Sequence, residues 1–176
     1  MPRQDRQSGF TLIELMVTIA VLAILLSIGI PSFAETIRNN RVASQTNEFL
    51  TALNLARSEA TKRGLPVTIC GAADADLDSC SGTTDWSNGW VIFADPANPG
   101  VVNAPGEVVI QTYPALNGQL QLTTPSVSTF VRFAASGNAG ANISFNFRHQ
   151  TCTGNNLRQI GLSPVGRISM QKVPCP

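Results

Sequence analysis

The chain has 176 residues, with 12 basic against 11 acidic side chains and a formal net charge of +1 at pH 7. So even a balance provides no overall field to draw the protein to nucleic acid or to an acidic membrane. The length suits one anchor helix and one modest domain.

Residues 1–9 form a short polar leader ending in Ser8-Gly9, with Arg3 and Arg6 suited to a cytoplasmic flank and Asp5 working against them. An apolar run follows, from Phe10 to Ile30, just ahead of Pro31. Its 21 residues would span roughly 32 Å as a helix, enough to cross a bilayer core. One carboxylate, Glu14, lies inside it. An acid at the bilayer centre costs about 2.5–3.5 kcal/mol, so Glu14 calls for a partner. Pro31 removes a backbone donor and is expected to kink or loosen the helix near Gly29-Ile30-Pro31. The leader is not an ordinary secretory signal, because its glycine precedes the apolar run, and a cut there would leave the apolar helix on the mature chain.

Residues 32–64 continue as an amphipathic helix. Phe33, Ile37, Ala43, Phe49, Leu50, Leu53, Ala56 and Ala60 recur mostly at three- and four-residue steps, and Gly64 then Pro66 stop the pattern. From residue 65 to 176 the chain reads as a β-rich head. Seven short runs are predicted as strands: 67–70, 90–94, 108–113, 120–123, 129–133, 143–148 and 159–163. Several of these alternate apolar with polar residues, as half-buried antiparallel strands do. Loops rich in Gly, Pro, Asn and Asp separate them, notably 95–100 and 136–140. The expected class is α+β, a long helix lying across one or two small antiparallel sheets.

All four cysteines, Cys70, Cys80, Cys152 and Cys175, fall in the head, where an oxidising compartment would pair them as two disulfides. Three connectivities exist; short-loop closure favours Cys70 with Cys80 and Cys152 with Cys175. Zinc is disfavoured, since there is no CxxC pair and His149 is the sole histidine. Asp74, Asp76 and Asp78 alternate like the first ligands of a calcium loop, with Asp85 at the twelfth position. Ser79 replaces the turn glycine and no helix enters the loop, so a solvated acidic loop is the better reading. No phosphate loop, nucleophile elbow or HExxH motif is present. The residues therefore call for no enzyme, cofactor, metal or small-molecule substrate.

The stretch Gly9-Phe10-Thr11-Leu12-Ile13-Glu14-Leu15 resembles the class III signal of type IV pilins and type II secretion pseudopilins. The resemblance implies that a prepilin peptidase cuts between Gly9 and Phe10 and methylates the new amino terminus. It also implies that Glu14 pairs with the terminal amine of a neighbouring subunit during assembly. Further along, three segments resemble the FimU/FimT minor pilins and the related pseudopilin H. They are residues 85–95 (DWSNGWVIFAD), Ala56-Arg57-Ser58-Glu59-Ala60 with Arg63-Gly64, and Ser163-Pro164-Val165-Gly166-Arg167-Ile168. This implies a pilin-like fold, insertion in the inner membrane with the head in the periplasm, and assembly with other pilins into the tip or priming complex of a type IV pilus. The alternative on the same fold is the pseudopilin of a type II secretion system. A third reading, a DNA-receptor minor pilin, rests on a C-terminal Gly-Arg-x-Arg motif. Here Gly166-Arg167-Ile168-Ser169 lacks the second arginine, leaving Arg167 with Arg148, Arg158 and Lys172 as the basic residues to gather. By strand parity Lys172 shares a face with Ile168 and Met170.

Overall fold

The computed structural model describes residues 10–95, 108–117 and 119–176, with the backbone alone at 28, 29, 31 and 32. The chain divides into two compact units, Met1–Arg38 and Asn39–Pro176. Helix α1 runs from Leu12 to Arg63, and its assignment continues unbroken through position 31. In the first unit its apolar side chains are exposed: Phe33 is 73% and Ile37 52% accessible. Both were expected on the buried face.

The second unit holds the core. Val42, Thr46, Phe49, Leu53, Ala56 and Ala60 recur at three- and four-residue steps along α1 and are buried. Val42 and Thr46 thus replace the Ala43 of the predicted stripe, and the Thr46 hydroxyl is satisfied by donating to the Val42 carbonyl at 2.6 Å. The helix stops at Arg63, directly before Gly64.

Two four-stranded antiparallel sheets pack on this stripe. Sheet 1 has the order β3-β2-β1-β5, from β1 (Val67–Gly71), β2 (Trp90–Ala94), β3 (Val108–Tyr113) and β5 (Phe130–Phe133). Sheet 2 has the order β4-β6-β7-β8, from β4 (Leu120–Thr123), β6 (Ile143–His149), β7 (Leu157–Leu162) and β8 (Ile168–Val173). Seven strands match the sequence reading to within a residue or two. The eighth, β8, was not among the predicted runs because its middle, Ser169 to Lys172, is exposed and carries little apolar signal. It forms through register with β7, pairing Leu162 with Ile168 and Arg158 with Lys172.

Phe49 is the centre of the core. Its ring meets Trp86 at 5.9 Å, Trp90 at 5.1 Å and Phe145 at 5.0 Å, each edge-to-face, so one helix residue joins both sheets. Within sheet 1, β1 and β2 are buried along their whole length, and their near-continuous apolar sequences reflect cover on both faces. The second face is closed by a smaller cluster of Cys70, Ala72, Val91 and Phe93.

Candidate functional site

Glu14 occupies the third position of α1, and Thr11 sits at its cap. The Thr11 backbone N–H and hydroxyl both donate to Glu14 Oε2, at 3.0 and 2.9 Å, while the Glu14 N–H donates back to the Thr11 hydroxyl at 3.3 Å. This is a reciprocal capping box, legible in the sequence as Thr-x-x-Glu. It satisfies donors that would otherwise be orphaned at the helix start and places an acid against the positive end of the helix dipole. Glu14 therefore has a local partner within the chain besides the intermolecular role implied for it. Phe10, beside it, is 93% exposed. Gly9 lies outside the described residues, as do Arg3, Asp5 and Arg6. Among the described residues no helix is long and apolar enough to cross a membrane.

Two of the head segments singled out in sequence, 56–64 and 163–168, are joined in space. Arg57, on α1, donates from Nε to the Gly137 carbonyl at 3.0 Å and from Nη2 to the Val165 carbonyl at 3.1 Å. It thereby fastens the β5–β6 turn and the β7–β8 turn to the helix. Those turns are also joined directly, since Ala139 and Gly140 N–H both donate to the Pro164 carbonyl. Gly166 holds φ +78°, and a Cβ there would run into the Gly137 carbonyl and the Arg57 guanidinium, so only glycine fits.

The 85–95 segment is built into the core. Trp86 and Trp90 are buried, and Trp90 stacks on Tyr113 at 5.3 Å. Trp86 lies over Gly71, whose added Cβ would fall 2.8 Å from the indole ring. Gly89, at φ +102°, passes against the Tyr113 carbonyl with no room for a side chain. At the segment's end the fully buried Asp95 accepts from the Thr68 hydroxyl at 2.6 Å and lies 3.4 Å from Arg132 Nε, while Arg132 Nη2 donates to the Asp95 carbonyl at 2.7 Å. An acid buried so deeply is tolerable only with partners of this kind. Trp86 and Trp90 are therefore core aromatics and Gly89 a turn residue. The rest of the 95–100 loop lies outside the described residues.

The favoured cysteine pairing is the one formed. Cys70 is bonded to Cys80 and Cys152 to Cys175, with Cα–Cα separations of 5.6 and 5.7 Å. The first bond closes the acidic loop. Asp74, Asp76 and Asp78 are exposed there, and among the described residues no group of three carboxylate, histidine or cysteine side chains is arranged to hold a metal.

The four basic residues of the DNA reading do not gather. Arg158 and Lys172 pair across β7 and β8 on one face. Arg148 lies on the other face, donating to Gln121 Oε1 at 3.2 Å. Arg167 stands at the opposite end of β8, five residues from Lys172, or about 17 Å of strand. It lines a shallow groove of ≈ 550 Å³ with Asn142, Ser144, Gly161, Ser163 and Ser169. Parity scatters the charges: residues one apart on a strand face opposite ways.

Two family signatures match the chain: the prokaryotic N-terminal methylation motif over residues 4–30, and the family described as type II transport protein GspH over residues 45–166. The second covers more than half of the sequence, including every strand through β7 and both turns held by Arg57. The chain belongs to the GspH family. It is 32% identical over 125 residues to the prepilin peptidase-dependent protein D of Escherichia coli (strain K12), covering 69% of this chain and 74% of that protein. It is also 34% identical over 98 residues to a type IV major fimbrial protein FimA of Dichelobacter nodosus, covering 54% of this chain and 60% of that one. In fold it resembles the crystal structure of the type IV minor pilin FimU of Pseudomonas aeruginosa (strain PAO1). The TM-score is 0.60 at 22% identity, over 75% of this chain and 89% of that one. The α+β pilin fold and membership of the type IV pilin and pseudopilin group follow. The relatives are structural pilins.

Proposed function

We propose that this GspH-family chain is a minor pilin, a subunit of the tip or priming complex of a type IV pilus. The observation that carries this reading is the presence, on one chain, of the methylation motif over residues 4–30 and a GspH-family head in which Arg57 fastens the 163–168 segment to the helix. The fimbrial proteins among its relatives favour a pilus over a secretion piston. In this reading a prepilin peptidase cuts after Gly9 and methylates Phe10. The 21-residue apolar run holds the precursor in the inner membrane with its head in the periplasm. Assembly moves the run from lipid into a bundle of like helices, so little hydrophobic free energy changes. Packing, head contacts and the Glu14 carboxylate then supply the specificity. Glu14 trades part of its capping interaction with Thr11 for a neighbour's terminal amine, and Pro31, which donates no backbone hydrogen bond, loosens the helix as it packs.

Intact-mass and amino-terminal analysis of the membrane-extracted protein, with proteomics of sheared filaments, tests this. The reading requires a mature chain starting at N-methylated Phe10 and present in pili. Glu14→Ala would still be processed but would be depleted from the filament. Wild-type abundance of that variant in sheared pili would overturn the role given to Glu14. The second reading, a pseudopilin of a type II secretion system, is favoured by the GspH signature itself. It requires that deleting the gene abolish protein secretion and leave pili intact.

A further inference from the structure

Three grooves on the head share lining residues and form one furrow. The first, of ≈ 360 Å³, lies between α1 and β8, with Asn54 and Arg57 on one bank and Arg167 and Ser169 on the other. Asn54 and Arg57 also line the second, of ≈ 750 Å³, which follows α1 past Ser58 and Thr61 to Lys62. Arg167 and Ser169 also line the third, the ≈ 550 Å³ groove over sheet 2. The helix bank alone, from Asn54 to Lys62, extends about 12 Å, a length that suits a linear chain better than a small ion.

The furrow's charge has one sign. Arg57, Lys62 and Arg167 are its ionic side chains, and among the described residues no carboxylate lines any of the three grooves. Arg57 is held in place: Nε and Nη2 each give one hydrogen to the Gly137 and Val165 carbonyls, which leaves three of the five guanidinium N–H groups. A cation already fixed by the fold loses little freedom when an anion docks. Arg167 is exposed, and none of the ion pairs among the described residues reaches it. Lys62 is 78% exposed and lies 3.5 Å from Glu59, whose carboxylate Arg63 holds more closely, at 2.6 Å. The neutral groups between these cations are acceptors. The Ser58 hydroxyl donates to the Leu55 carbonyl, the Thr61 hydroxyl to that of Arg57, and Asn54 Nδ2 to that of Leu50. Each gives a hydrogen to its own helix and keeps oxygen lone pairs that can accept.

A matching ligand carries anions for the three cations and hydroxyl donors for the oxygens between them. A chain of acidic sugars has both. A DNA backbone has the anions without the donors, and among the described residues no aromatic side chain lines the furrow for bases to stack on. We propose that this furrow binds an acidic polysaccharide, its carboxylates on Arg57, Arg167 and Lys62 and its hydroxyls on Asn54, Ser58 and Thr61. The site belongs to the head alone and stands whether the chain serves a pilus or a secretion filament.

Fluorescence anisotropy of a labelled oligogalacturonate, titrated with the full-length chain in non-ionic detergent with its disulfides intact, tests this. The wild type should bind, and salt should weaken the binding because exposed pairs are screened. Arg167→Gln should weaken it about fivefold and Lys62→Gln about threefold, the upper part of the range for one exposed ion pair. Both side chains are exposed, so each variant should keep a near-wild-type urea midpoint. Arg38→Gln removes a cation of the first compact unit, outside the furrow, and should leave the affinity unchanged. Absence of binding, equal binding of a neutral cello-oligosaccharide of the same length, or tighter binding of an oligothymidylate of the same charge would overturn the proposal. So would wild-type affinity in both Arg167→Gln and Lys62→Gln, or an equal loss in Arg38→Gln.

Discussion

Removing the Arg57 guanidinium tests whether the head depends on a single side chain to fasten two turns to its helix. Arg57→Ala deletes one charged hydrogen bond to a part-buried carbonyl, Gly137, and one to the exposed carbonyl of Val165. Hydrogen bonds to charged groups contribute about 1.5–3 kcal/mol when buried and less in water, so the pair together stabilises by about 2 kcal/mol. For a chain of this size that corresponds to a fall in Tm of about 4–8 °C. The loss should be local before it is global. Gly166 N–H, bonded to the Ser163 carbonyl, and Ala139 and Gly140 N–H, bonded to Pro164, all lie in the turns that Arg57 holds. Their amide exchange should accelerate by roughly 30-fold, the equivalent of about 2 kcal/mol, while amides of β1 and β2 change little. Arg57→Lys should recover less than half of the loss, because one ammonium cannot reproduce the guanidinium's two-pronged reach. The measurements are hydrogen exchange and urea unfolding of the full-length chain in detergent with its disulfides intact. Wild-type exchange in both turns, with a midpoint change worth under about 0.3 kcal/mol, would show that the turns hold their own shape and refute the clamp.

Gly71→Ala should cost about 1–3 kcal/mol by forcing its methyl against Trp86, whose indole would lie 2.8 Å away; near-ultraviolet dichroism of the tryptophans and a urea midpoint would read it. Serine at both Cys152 and Cys175 should cost about 3 kcal/mol by freeing the 23-residue separation that the bond closes, with fraying of the tail from Lys172 onward visible in hydrogen exchange. The Glu59 carboxyl is held below its ordinary range, chiefly by the hydrogen bond from Arg63 and further by the charge of Lys62. A lowered folded value means that this contribution is fully present above the unfolded glutamate pKa, about 4.3, and fades as pH falls through the lower folded value. Carbon-detected titration should show Arg63→Ala moving the Glu59 midpoint upward, and an unmoved midpoint would refute the pairing. Burial, with a smaller part from Glu48, raises the Tyr113 hydroxyl above its usual value, so phenolate absorbance should appear later in an alkaline titration than for free tyrosine.

The leader, the apolar run, the amphipathic stripe and seven of the eight strands are periodic or compositional features, and each depends on residues close together in the chain. That is why the Phe49 and Leu53 face and the local pairing of Cys70 with Cys80 were legible before any coordinates. The motifs at 56–64, 85–95 and 163–168 could be read as belonging together, but not as to why. Only the fold brings Arg57 onto carbonyls 80 and 108 residues away, sets Gly71 under Trp86, and closes Asp95 against Thr68 and Arg132. Strand β8 was missed for the same reason, since an exposed polar edge strand exists through its partner's hydrogen bonds and not through its own pattern. The basic residues show the limit most plainly. Four charges near one another in sequence became one pair, one residue on the reverse face and one about 17 Å away, because strand parity and register decide which side chains meet. Composition and local periodicity carry what neighbouring residues do to each other, and tertiary structure decides every contact whose partners are separated by tens of residues.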